Sequence, residues 1–367
     1  MASLIYLLVF TLIQMTQIEC SMVNCLPKNH AALFILGDSL FDNGNNNYIN
    51  TTMDYQANYP PFGETFFKYP SGRFSDGRMI PDVVAELAQL PLLPPYLHPG
   101  HPQHIYGVNF ASGGSGALRE TALGFVIDLK TQVSYLRNVK NNFRQRLGVA
   151  EAEELVSKSV YLFSVGANDY GAILDLNTGL LPPGDHKNYV DNVIGNITEA
   201  IKEIYNFGGK KFGFVNVPGI GCSPGIRWAV NNGSTGPCYE GISAIARLHN
   251  SELTKMLQKL EKQLRGFKYS ITDFYSAFAQ LITYPSRYGL KEVSGGCCGG
   301  GAYKGDGSCG MMKNGKKEYE LCDNVNEYLF FDSHHPTDRA SQIFAELIWN
   351  GNLTVTKPYN LKQLFQL

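Results

Sequence analysis

The sequence predicts an α/β protein, a three-layer α/β/α sandwich around a mainly parallel, five-stranded sheet. Short, continuously apolar runs recur along the chain, most of them closed by glycine. Between them lie longer segments with apolar residues every three or four positions. No internal repeat or long linker divides the 367 residues. Continuous apolar character suits strands covered on both faces, and their alternation with amphipathic helices implies right-handed βαβ units.

The first strand is expected over 31–36, ending at Gly37. The second spans 106–110 and runs into Gly-rich sequence; the third spans 159–165 and ends at Gly166. The fourth, 211–217, is stopped by Pro218-Gly219, and the fifth covers 267–272. A helix from about Tyr189 carries Val193, Ile197, Ile201 and Ile204 on one stripe. A longer one, near 241–265, carries Ile242, Ile245, Leu248, Leu253, Met256, Leu257 and Leu260. The last starts near Thr337-Asp338 and presents Ile343, Phe344, Leu347 and Ile348. One domain is therefore expected over 31–350, with 351–367 as a C-terminal extension.

Composition sets outer limits. With 44% hydrophobic and 17% charged residues the chain has the makings of a packed core. A net charge of -1 offers no basic field for phosphates, which excludes nucleic acid as a partner. The apolar stretch at 4–13 has the length of a secretory leader's core and is far short of the ~20 residues that span a bilayer. Residues 1–20 are read as a signal peptide, and no transmembrane anchor is expected. Sequons at Asn50, Asn196, Asn232 and Asn352 agree with export. So do the cysteines: Cys222 and Cys238 bracket one loop, and Cys297, Cys298, Cys309 and Cys322 staple a second in one of three pairings. No CxxC or neighbouring histidine supports zinc.

The chemistry lies at strand ends, where a doubly wound sheet gathers its functional groups. The first strand leads into Gly37-Asp38-Ser39-Leu40 and then the run Phe41 to Asn47. A serine two residues past a strand-ending glycine sits on a tight turn with its hydroxyl toward the cleft. Near the other end stand Phe331-Asp332-Ser333-His334-His335-Pro336. A serine nucleophile needs a neutral imidazole to take its proton, and the imidazole needs an acceptor on its other nitrogen. Asp332 and His335, three apart on a loop entering a helix, supply both. Gly113 and Gly114, after the second strand, can present bare N–H groups to a developing oxyanion, and Asn168, after the third, a side-chain amide.

Taken in order, GDSLFDNGNNN, GVNFASGGSG, GAND and DSHHP resemble the blocks of the SGNH hydrolase superfamily, specifically the plant GDSL esterase/lipases. The resemblance continues through YPSGRFSDGR, VPGIGCSP and CCG, covers about residues 31–350, and looks closest to secreted, defence-associated members. It implies a flavodoxin-like SGNH fold and an esterase or lipase acting on a small-molecule or lipid ester without metal or cofactor. It implies Ser39 as nucleophile and Asp332 and His335 as its partners. The oxyanion donors it implies are the N–H of Ser39, Gly114 (Gly113 being the alternative) and Asn168. Phe331 stands where many relatives have Trp, a change of packing beside the triad. An acyltransferase using the same triad and a non-enzymatic binding protein on the same scaffold are the rival readings.

Overall fold

The computed structural model describes residues 30–100, 104–174 and 185–367. The leader expected over 1–20, together with Cys20 and Cys25, falls outside them. Five parallel strands form the sheet: β1 (Leu33–Gly37), β2 (Gly107–Asn109), β3 (Val160–Ser164), β4 (Lys211–Val215) and β5 (Lys268–Thr272). A sixth, β6 (Thr356–Pro358), pairs antiparallel with β5, and the spatial order is β6-β5-β4-β3-β1-β2. The sheet is thus mainly parallel as expected but has six strands, not five. The added strand is three residues long and contains a proline, so it carries no apolar run to betray it. Proline is tolerated there because β6 is an edge.

Side-chain alternation explains why both faces are covered. Phe34 and Leu36 of β1, Tyr161 and Phe163 of β3, and Phe212 and Phe214 of β4 enter one core. They pack against α2 (Leu129–Leu147), α3 (Val149–Lys158), α4 (Ala167–Gly171), α5 (His186–Asn206) and α6 (Glu240–Gln263). Leu33 and Ile35 of β1 and Val160 and Leu162 of β3 point the other way. They meet α1 (Ile80–Leu87), α7 (Phe274–Thr283), α8 (Asp338–Asn350) and α9 (Leu361–Gln366). Most of the buried side chains in these strands are large and apolar, each worth roughly 1.5–3 kcal/mol when fully withdrawn from water.

The strand order reverses at β1, which lies between β2 and β3. A doubly wound sheet opens a crevice at such a switch point. The loops after β1, β2 and β3, which carry Ser39, Gly114 and Asn168, therefore emerge side by side. Disulfides join Cys222–Cys238, Cys297–Cys322 and Cys298–Cys309, choosing one of the three pairings left open for the last four. All four sequon asparagines are exposed. No helix among the described residues is long and apolar enough to cross a membrane.

Candidate active site

β1 hands over to Ser39 through a glycine that nothing else can replace. Gly37 has φ 143°, and a Cβ there would stand 1.9 Å from the Ser164 carbonyl oxygen of β3. Gln132 of α2, fully buried, grips the same residue: its amide accepts from the Gly37 N–H at 2.8 Å and donates to the Gly37 carbonyl at 2.9 Å. Asp38 follows, also buried; its Oδ1 accepts from the Leu40 N–H at 3.1 Å and the Ser164 hydroxyl at 3.2 Å. Burial pushes the Asp38 pKa up to about 7, opposed by those two hydrogen bonds. The turn leaves Ser39 half-exposed, with Asp38 buried on one side of it and Leu40 half-buried on the other.

His335 comes from the segment just before α8. Its Nε2 lies 2.8 Å from Ser39 Oγ across 296 residues of chain. Its Nδ1 lies 2.9 and 2.8 Å from the two Asp332 oxygens. Asp332 Oδ1 also accepts the N–H groups of His334 and His335, each at 2.8 Å, so the carboxylate folds its own loop around itself. Burial works to raise the Asp332 pKa; the His335 charge, its hydrogen bond and the His334 N–H together outweigh it and hold the group below the ordinary value. An ionised Asp332 only accepts, so Nδ1 is the donor and Nε2 keeps a lone pair for the Ser39 proton. Phe74 lies against the imidazole, ring centroids 4.8 Å apart. His334 is exposed, with Nδ1 3.5 Å from the Ser223 hydroxyl, and makes no hydrogen bond to Ser39.

The two glycines after β2 have different surroundings. The Gly113 N–H donates to Asp42 Oδ2 at 2.8 Å and is spent there. Gly114, at φ 82°, is half-exposed, and its N–H has no acceptor among the described residues; the same holds for the N–H of Ser39. Asn168, also half-exposed, donates one amide hydrogen to the Ser115 carbonyl at 3.0 Å and keeps the other. Ser39, Gly114, Asn168 and His335 are thus open while Asp38, Gly113, Asp169 and Asp332 beside them are buried. Such donors, fixed and unspent, are what a developing oxyanion requires.

Several residues that shape this site carry no signal in the sequence reading. Asp42 Oδ1 accepts from Gly44 and Asn45 N–H at 2.8 and 2.7 Å, while its Oδ2 holds Gly113. Asp169 accepts from the Ala117 and Leu118 N–H groups at 2.8 and 3.0 Å and from the Thr121 hydroxyl at 2.6 Å. Burial pushes both carboxyl pKa values up to about 6, against these bonds. Behind Asn168, Tyr170 meets buried His249, 2.7 Å from hydroxyl to Nδ1; burial takes that imidazole down to about 3, which keeps it neutral. The one available hint was an unbroken run without apolar residues, Asp42 to Asn47, separated by four residues from the core strand before it.

On the fold and site together, the molecule is a hydrolase of three-layer α/β/α architecture with a serine at the switch point of its sheet. Residues 33–348 match the GDSL-like lipase/acylhydrolase family, and the chain belongs to it. It is 44% identical to GDSL esterase/lipase 1 of Arabidopsis thaliana over all of this chain and 98% of that protein. It is 47% identical to GDSL esterase/lipase 5 of the same plant, over 93% and 89% of the two chains. A GDSL lipase of Tanacetum cinerariifolium is 48% identical, over 93% and 90%. The chain is accordingly a carboxylic ester hydrolase of the plant GDSL esterase/lipase family.

Proposed function

We propose that the chain is a secreted, glycosylated serine esterase or lipase that turns over apolar carboxylic esters through an acyl-enzyme on Ser39. The observation that carries this reading is the unbroken hydrogen-bond chain from Asp332 through His335 to the Ser39 hydroxyl. His335 Nε2 takes the Ser39 proton as Oγ attacks the ester carbonyl carbon. The oxyanion is received by the N–H groups of Ser39 and Gly114 and the Asn168 amide. His335 then gives its proton to the alkoxide, which departs as the alcohol. Water, deprotonated by the same imidazole, attacks the acyl-enzyme, and collapse returns Ser39 and the free carboxylic acid.

Aromatic and apolar groups beside the oxyanion loop support an apolar substrate. The Tyr55 ring presses on Gly114, where a Cβ would lie 2.3 Å from it, and stacks on Phe125 at 5.8 Å. Phe125 and Met53 are 45% and 50% exposed, so this surface reaches solvent. Export is supported by the three disulfides, the exposed asparagines at 50, 196, 232 and 352, and the apolar run at 4–13. A fluorophosphonate probe with Ser39→Ala as control, followed by esters from acetyl to long-chain acyl, tests the reading. Labelling that depends on Ser39, with turnover rising toward longer acyl groups, is expected. An unlabelled folded protein would overturn it, and products appearing only when an alcohol is added would reassign it as an acyltransferase.

A further inference from the structure

We infer that Asn46 is a positioning residue for the oxyanion donor: its side-chain amide fixes the plane of the Gly113–Gly114 peptide and so aims the Gly114 N–H. The inference deepens the proposed serine-esterase reading and rests on it. Asn46 is 1% exposed, a costly place for a carboxamide unless every bond is made. They are made: Nδ2 donates to the Gly113 carbonyl at 2.9 Å and the Tyr55 carbonyl at 2.7 Å, and Oδ1 accepts from the Ser112 hydroxyl at 2.5 Å. Ser112 is held in turn, because its Oγ accepts from the Ile127 N–H at 2.9 Å.

A trans peptide is planar, with its C=O and N–H pointing opposite ways. Holding the Gly113 oxygen on Asn46 therefore turns the Gly114 N–H away from Asn46, and that is the N–H left without an acceptor among the described residues. The clamp matters because this peptide joins two glycines. Neither can be replaced: a Cβ on Gly113 would sit 2.6 Å from the Phe74 ring, and one on Gly114 2.3 Å from the Tyr55 ring. Yet a Gly–Gly peptide has no Cβ on either side to hinder rotation between its two faces. The walls demand residues that leave the donor free to flip, and Asn46 removes that freedom. Asp42 on the Gly113 N–H pins the peptide before it, and Asn46 fixes the face of the next. The bond to the Tyr55 carbonyl ties the same amide to the aromatic wall beside the donor.

Asn46→Asp preserves shape and the Ser112 bond but turns carboxylate oxygen toward two carbonyls. In the full-length protein, kcat for a p-nitrophenyl ester and the rate of fluorophosphonate labelling should each fall about 10²-fold, the scale of a lost oxyanion donor. KM and inhibition by a non-reactive ketone of substrate shape should stay within about threefold, because ground-state binding does not use the donor. A general loosening of the site would shift kcat and ground-state binding together. Ser112→Ala frees the Asn46 amide without burying a charge, and should lower kcat about tenfold at unchanged KM. This variant decides the matter if Asn46→Asp does not fold. A folded Asn46→Asp that labels within threefold of wild type, or a Ser112→Ala with unchanged kcat, overturns the inference. Wild-type protein that does not label refutes the hydrolase reading itself, a separate outcome.

Discussion

On the proposed mechanism, the half of the site that moves the proton and the half that receives the charge are built in opposite ways. Asp332 and His335 sit three residues apart, and the carboxylate binds the backbone of the loop that carries its partner. That unit is local and assembles from one short stretch. The receiving half draws Ser39, Gly114 and Asn168 from three strand ends, and buried polar groups between the loops hold them in place: Asp42, Asn46, Asp169 and Gln132. A local unit is fixed by its own covalent spacing. A dispersed one needs brackets, and every bracket must have all of its polar atoms satisfied.

If that contrast is right, substitutions should rank in order. Ser39→Ala removes the group both halves serve, and ester turnover should fall about 10⁶-fold in a protein whose circular dichroism is unchanged. Asp332→Asn leaves the shape but lets the side-chain amide oppose the Nδ1 hydrogen, so kcat should fall about 10⁴-fold. A smaller loss than at Asn168 would break the contrast. Asn168→Ala removes one donor of the dispersed half and should cost about 10²–10³ in kcat with little change in KM. Asp169→Asn replaces an acceptor facing the Ala117 N–H with a donor, and a fall of about tenfold in kcat is expected as the oxyanion loop shifts. Steady-state kinetics on one chromogenic ester separates all four.

The smallest effect concerns stability. Asp38 has a folded pKa of about 7, raised by burial from 3.8. A carboxyl raised in this way holds its proton more tightly folded than unfolded. Its favourable contribution is complete below about pH 4 and is lost as pH rises through about 7. Asp38→Asn keeps an acceptor for Leu40 and Ser164 and carries no charge to desolvate. Its melting temperature should therefore gain several degrees on the wild type between pH 4 and pH 8. A gap that is constant across that range would show that Asp38 stays ionised.

What the sequence disclosed follows the same division. The parallel strands were legible because buried strands are written largely in apolar residues, most plainly in β1 and β3, and α8 because Thr337 caps it, accepting from the Ala340 N–H. The Asp332–His335 contact was legible because the two are neighbours in sequence as in space, and the turn at Ser39 because a strand end forces it. β6 was not, since its pairing with β5 depends on backbone groups and not on side chains. Nor were Asn46 and Asp169: each reaches about 50–70 residues along the chain, and a buried Asn or Asp looks the same in sequence as one at a solvated turn. The choice between Gly113 and Gly114 stayed open for a related reason. Only the Asp42 carboxylate, 71 residues from Gly113, tells them apart.

The separation of 296 positions between Ser39 and His335 has a further consequence for when the molecule becomes reactive. During synthesis the hydroxyl emerges early and has no partner imidazole until His335 has been made. On the proposed mechanism, a chain cut short before Asp332 carries the Ser39 hydroxyl without the imidazole that activates it and is inert toward esters.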